Sequence, residues 1–445
     1  MTTADVVVVG AGLSGLVAAD DLRRHGLDVV VVEARSRIGG RVVAVEGPDG
    51  LRYEGGGEFV KPTQEALREL ATDLGVPLDD MRPAGQFVRI HAGERRIEPR
   101  VLADDPAAAV ACTEALAAFD AMAAQLPEGE PWKAPRAAQW DAMTVAQWLD
   151  PLIADPAARA HVERVLVSGI GGTAPTVSLL QALHYWASAG GLIAQTNPQQ
   201  QRIRGGGSAL AEGLADRLGD RIRLDAAVTR VVTGRSPSGG ATVELTNGTT
   251  VDADRVVLAL SPALAQRITF DPPLPTARVL LQRRWIQGPA IKSFVTYARP
   301  WWRDAGLAGM AAGDRDVQFT WDASPDDGSL GIIGALIPLT HRTAAEHFGD
   351  AATRHAAVLE HLVAYFGPDA AQPLDVRDVS WAEDPWAGGC GAPLPPGVLA
   401  AFGPALRAPI GPLVWAGTET ATHGNGSMEG AIEAGHRAAR EVAGG

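Results

Sequence analysis

The stretch DVVVVGAGLSGLVAADDLRRHGLDVVVVEA, residues 5–34, constrains the fold of this chain more than any other. Its first apolar run is short and β-branched. Its middle carries apolar residues at helical spacing and stops at Gly26, and its second run is again valine. The pattern predicts a βαβ unit with Gly10, Gly12 and Gly15 in the first turn. Gly10 permits a tight bend, Gly12 lets a pyrophosphate approach the backbone, and Gly15 lets helix pack on strand. The first helical amides then face the phosphates. Glu33 ends the second strand, where a carboxylate can accept both ribose hydroxyls.

The chain returns to this language twice. IRGGGSALAEGLADRLGDRIRLDAAVTRVV reads as turn, helix and strand, and GPLVWAGTETATHGNGSMEGAIEAGHRAAREV as strand, glycine-rich turn and helix. GATVELTNGTTVDADRVVLALSP places two alternating runs around Asn247-Gly248, a hairpin signal, before a buried strand. Between these pieces the character changes. DPAAAVACTEALAAFDAMAAQL and VSLLQALHYWASAGG look helical, AIKSFVTYA and SLGIIGALI look extended, and a helix is expected at about 351–366. An α/β fold with two interleaved domains follows. One is discontinuous, from residues 1–78, 205–284 and 384–445, and the other takes 79–204 and 285–383.

Composition narrows the partners. A net charge of −13 argues against nucleic acid and anionic membranes. Two cysteines make no disulfide framework, no apolar run is long enough to span a bilayer, and no basic leader precedes Asp5, so a cytoplasmic location is expected. His341, His347, His355 and His361 lack ligand spacing and no C-x-x-C occurs, so no metal site is expected and the histidines are read as surface positions. Cys112 falls in an apolar helix and needs no role beyond packing. Basic residues are nearly all arginine, and lysine appears three times, at 61, 133 and 292. Lysine is then expected where a guanidinium would not serve.

The glycine turn does not by itself separate one dinucleotide from another. EARSRIGGRV (33–42) adds a second glycine pair and Arg41 close behind the acid. With GGGEFVKPTQ (55–64), GGGSALAEGLA (205–215), AIKSFVTYARPWW (290–302), GGC (388–390) and GTETATHGNGSMEGAIEAG (417–435), nearly the whole chain resembles the flavin-containing amine oxidases, in the monoamine oxidase branch. The resemblance implies a Rossmann-like FAD domain interleaved with an α+β substrate domain whose sheet roofs the flavin. It implies FAD contacts from Ser14, Glu33, Arg35, Gly40, Arg41, Gly57, Val228, Glu419 and Met428, with Gly417 beside the pyrophosphate and Trp381 packed near the ring. An exposed salt bridge is the other reading of Arg35. Lys292 matches the lysine that in this family holds a water against the reactive flavin nitrogen. Cys390 matches the cysteine whose sulfur, in the animal enzymes, bonds to the flavin ring. Covalent attachment is expected on that ground, with a packed loop thiol as the alternative.

The chain also departs from the family pattern. Two aromatic rings commonly stand on the flavin face. Here those positions are Gly391 and Ser427, and the tryptophan usual between them is Gly424. The resemblance then implies an open pocket with a hydroxyl in it. Tyr185, Gln200, Phe319 and Trp321 match substrate-cavity positions, with core packing as their other reading. Glu58 is unusual. It is read either as a carboxylate that anchors a second cation or accepts a proton, or as the partner of Lys61. The expected activity is an FAD-dependent oxidase acting on a bulky or unusual amine with dioxygen, giving an imine and hydrogen peroxide. The alternatives are an oxidative cyclase or dehydrogenase acting on an amide or N-acyl intermediate, and a non-catalytic flavoprotein. A homodimer is compatible with all three.

Overall fold

The structure is a computed structural model. It describes residues 2–444 except 82–83, 92, 99–105, 193–199, 235–238 and 340–343. The valine runs of the opening motif form strands Thr2–Val9 and Val29–Val32, joined through helix Leu13–Arg24. Val6 to Val9 pair in parallel with Val29 to Val32. These strands are buried on both faces, which is why they read as unbroken apolar runs. Thr250–Leu258 lies parallel on the other side of Thr2–Val9, and Leu413–Trp415 lies parallel beside it. The strand Ala241–Leu245 turns at Asn247-Gly248 into Thr250–Leu258, as the hairpin signal predicts. This sheet has eight strands. The helix Met428–Ala443 packs back on Leu13–Arg24, where a Cβ on Gly435 would fall 2.6 Å from the Ser14 carbonyl oxygen.

A second sheet has seven strands, in the order Asp375–Ser380, Ala290–Tyr297, Gly331–Pro338, Phe319–Asp322, Leu307–Gly313, Gln86–His91 and Glu94–Glu98. Ala290–Tyr297 is an inner strand, second from one edge, and every one of its residues is buried. Alternation sends Lys292, Phe294 and Thr296 to one face of the sheet and Ile291, Val295 and Tyr297 to the other. The second face meets helix Ala351–Phe366 in an apolar core. The first face is the roof of the site. Helices Pro106–Ala123, Pro156–Val167 and Leu179–Ser188 form a further core around Phe119, Trp140 and Trp186. Cys112 sits in that core, as expected of a packing residue. His361 departs from its expected surface position. It is buried and its Nδ1 accepts the Val317 amide at 3.2 Å. His347 and His355 lie instead against Asp316 and Asp378. His341 lies outside the described residues.

Candidate active site

Two cavities meet between the sheets. The first, about 490 Å³, runs from Glu33, Arg35 and Val228 past Gly10, Gly12, Ser14, Gly40, Arg41 and Gly417. It continues to Gly57, Glu58, Lys292, Trp381, Cys390 and Met428. Its shape follows from the glycines. Gly10 has φ +103°, a conformation side chains disfavour. A Cβ on Gly15 would fall on the Gly10 carbonyl oxygen, so Gly15 lines neither cavity but lets the turn close. Gly12 differs, since a Cβ there would meet only the Gly40 Cα, at 3.9 Å. That side of the turn is open space. Gly12 also caps helix Leu13–Arg24 without any side-chain bond to its first amides. Those donors need an acceptor, and an anion in the cavity supplies one.

The remaining groups fit the same ligand. Glu33 receives the Ala11 amide at 2.8 Å and the Arg35 amide at 3.0 Å, which fixes its carboxylate at the cavity wall with acceptor capacity left over. Arg35 donates to Asp384 at 2.7 Å and its side chain is 11% exposed, so it is not the exposed salt bridge of the other reading. The Ser14 hydroxyl donates to the Ala416 carbonyl and ties the first turn to the last. Arg41 bonds Glu419 at 2.8 Å and reaches the Cys390 carbonyl at 3.3 Å. Glu419 lies behind the wall, 1% exposed, with its Oε2 lacking a partner among the described residues. A dinucleotide with a flavin at the Lys292 end fits this chain of glycine turns, carboxylate and arginine.

At that end, Trp381 donates to the Gly55 carbonyl at 2.9 Å, and Met428 packs beside Gly57. Lys292 is 6% exposed and donates to the carbonyls of Glu54 and Gly56 and, at 2.6 Å, to Glu58. Of the two readings of Glu58, this corrects the pairing with Lys61: the partner is Lys292. Glu58 projects from beneath the roof strand, whereas Lys61 lines the second cavity. Burial pushes the Cys390 thiol up, although Arg41 beside it pulls the other way. The loop is fixed by the Cys390 amide, which donates to the Gly288 carbonyl at 2.9 Å.

The second cavity, about 890 Å³, is walled by Tyr185, Trp186, Met310, Phe319 and Trp321 together with Glu65, Glu69, Glu429 and Glu433. Phe59, Gln64, Gly169, Tyr185 and Ser427 line both cavities and mark the junction. Trp321 stands edge-on to Phe59 and stacks on Phe319. Burial pushes the Tyr185 hydroxyl up to about 12, so it stays protonated. Gln200 begins strand Gln200–Ile203, but its side chain lies outside the described residues. One expectation of an open face is corrected. Gly391 lines neither cavity, and a Cβ there would fall on the Ile170 carbonyl oxygen. Backbone, not empty volume, stands where a ring would be. The Ser427 hydroxyl is also engaged: it donates to the Gly424 carbonyl at 2.6 Å and caps helix Met428–Ala443.

Sequence reasoning missed Phe59 and Gln64, though both lie in the quoted GGGEFVKPTQ stretch. It also missed Glu54. That buried carboxylate receives the amides of Val43, Gly56 and Ser208, and burial holds its pKa above the usual range. A carboxylate next to three glycines was the available signal. Among the described residues no cluster of histidine, cysteine or carboxylate could hold a metal ion. No described helix is long and apolar enough to cross a membrane.

Comparison with known proteins decides the class. The family profile of flavin-containing amine oxidoreductases matches residues 13–443. The chain belongs to this family. Amine oxidase [flavin-containing] B of Canis lupus familiaris is 34% identical over 98% of this chain and 86% of its own length. A solved putrescine oxidase bound to putrescine matches at 32% identity and a TM-score of 0.93, covering 99% of each chain. Cyclohexylamine oxidase from Brevibacterium oxydans IH-35A matches at 32% identity and a TM-score of 0.92, with the same coverage. The fold is that of the flavin amine oxidases, and the chain is a flavin-dependent amine oxidase-type oxidoreductase.

Proposed function

We propose that this flavin amine oxidase acts on a bulky amine, which it takes to an imine while dioxygen becomes hydrogen peroxide. The observation that carries the reading is the pairing of the two cavities. A glycine-walled channel suited to FAD opens, at Tyr185 and Ser427, onto a larger chamber carrying four carboxylates. Bound FAD supplies the hydride acceptor and hands its electrons to dioxygen. The chain's own residues do the rest. The carboxylates of Glu65, Glu69, Glu429 and Glu433 outnumber the Lys61 ammonium along the chamber, which favours a cation there. Phe319, Trp321 and Phe59 present apolar walls that hold the substrate's carbon skeleton. Lys292 places positive charge beside the region where dioxygen would gain an electron. Neutral Tyr185 offers a hydroxyl at the junction.

The sheet of Thr2–Val9 and its neighbours is assigned to the cofactor, and the sheet of Ala290–Tyr297 to the substrate, along the domain boundaries expected from sequence. The Cys390 sulfur is assigned to a covalent bond with the flavin ring. Its place in the first cavity and the fixed loop around it support this. Three experiments test these assignments. Intact-mass analysis of the denatured parent should show the bare chain plus one FAD, and a panel of primary and secondary amines of graded size should release peroxide, with larger members preferred. Silence across the panel would leave the oxidative cyclase or dehydrogenase reading, and failure of every reductant except dithionite would leave a non-catalytic flavoprotein. Acid precipitation should leave yellow colour in the pellet for the parent and none for Cys390→Ala. A colourless parent pellet would remove the covalent bond and leave the rest standing.

A further inference from the structure

An ammonium group has three N–H donors. In Lys292 the protein takes all three: the Glu54 carbonyl at 2.6 Å, the Gly56 carbonyl at 3.1 Å and Glu58 Oε2 at 2.6 Å. Holding a water as well would require one of these bonds to be given up. The setting is buried and aromatic. The Lys292 Nζ lies 5.0 Å from the Trp321 ring centre, 5.3 Å from Phe294 and 6.0 Å from Phe59. Glu58 is 5% exposed, and both it and Lys292 line the first cavity at the same end. Charges in such a place are weakly screened, so the sum of the two matters more than either alone.

We propose that Glu58 is a built-in counter-ion that fixes Lys292 and tempers its charge, so that an ion pair rather than a lone ammonium faces the bound flavin. Glu58 is thus a positioning residue that acts on the cofactor through the lysine. The inference rests on the flavin-oxidase reading. It predicts that the carboxylate, and not merely its shape, sets how readily the flavin accepts negative charge. Glu58→Gln keeps a side-chain oxygen for Lys292 and deletes only the charge.

Sulfite titration of the purified holoenzyme, followed by the visible absorbance of the flavin, reads this without turnover. Sulfite brings negative charge onto the ring, and nearby positive charge favours it. The sulfite dissociation constant is expected to fall about tenfold in Glu58→Gln, to rise in Lys292→Gln, and to lie between the two in the double variant. An unchanged or raised constant in flavin-loaded Glu58→Gln would overturn the proposal. If Glu58→Gln retains no flavin, the comparison moves to Lys292→Gln against the double variant. There the double variant should bind sulfite more tightly, and equal affinity would overturn the proposal. A parent protein that holds no flavin would instead refute the reading on which the inference rests.

Discussion

The first cavity is walled largely by backbone and the second by side chains. Around Gly10, Gly12, Gly40 and Gly57 the chain itself forms the surface, and carboxylates and arginines only fix its ends. Around Trp321, Phe319 and Tyr185 the surface is aromatic and its shape depends on which rings are present. A backbone wall tolerates few residue types and suits a constant ligand. A side-chain wall can be rebuilt one residue at a time and suits a ligand that differs between relatives. One sheet serves both walls: its strand Ala290–Tyr297 gives Ala290 and Lys292 to the first cavity, and its strand Phe319–Asp322 gives Phe319 and Trp321 to the second.

Substitutions in the two walls should therefore fail in different ways. The largest effect is expected at Gly12. Its Cβ would point into open space, and its φ of −75° suits any residue, so Gly12→Val should leave the bare protein folded while blocking the pyrophosphate. The flavin-to-protein absorbance ratio should drop to near zero, with a melting temperature close to that of the flavin-free parent. Gly15→Val should lose flavin and stability together, because its Cβ strikes the Gly10 carbonyl. Equal melting temperatures for the two variants would break the distinction drawn between them.

Next in size is Lys292→Met. Loss of the ammonium should slow flavin reoxidation by dioxygen by about 100-fold in stopped-flow traces, with the flavin still bound. Reoxidation at the parent rate would remove the lysine from the oxygen step. In the side-chain wall, Trp321→Ala should raise KM for the preferred amine by about tenfold and widen the accepted sizes, with FAD retained. A loss of flavin there would show that the walls are not separable.

The smallest effect concerns acid. His184 lies on helix Leu179–Ser188, one residue before Tyr185, and burial holds its pKa down to about 4. As pH falls the unfolded chain takes the proton first, near pH 6.5. The contribution of neutral His184 to stability is therefore complete above about 6.5 and is lost progressively as pH falls from there toward 4, by up to ~3 kcal/mol. His184→Gln should flatten the fall of melting temperature over that window. A slope equal to the parent's would assign the acid sensitivity elsewhere.

The same division governs what the sequence makes legible. Gly10, Gly12, Gly15 and Glu33 are spaced by the geometry of one turn and one strand, so local pattern reaches them. The strand Ala290–Tyr297 and the helix Ala351–Phe366 are likewise visible as periodic runs. The pairing of Gln86–His91 with Leu307–Gly313 is not, because no local rule joins segments so far apart. Glu58 shows the same limit. Sequence proximity suggested Lys61, three residues on, whereas the fold supplies Lys292 from a strand of the other sheet. At Gly391 an absent side chain was read as volume, but the Ile170 backbone moves into its place. Residue type reports what a position lacks and does not report what fills it.

The helix Met428–Ala443, packed across the first helix, has a consequence for biosynthesis. The first cavity takes residues from Val9 to Ala431, so its walls come from segments far apart in order of synthesis. At 5–20 residues per second, roughly 20–80 s separate emergence of the opening glycine turn from that of Gly417 to Met428. Throughout that interval the strands beside Thr2–Val9 and the uncapped amides after Gly12 wait without their final cover. A cavity with all its walls therefore exists only once the residues up to Ala431 have emerged and the last helix has docked on the first.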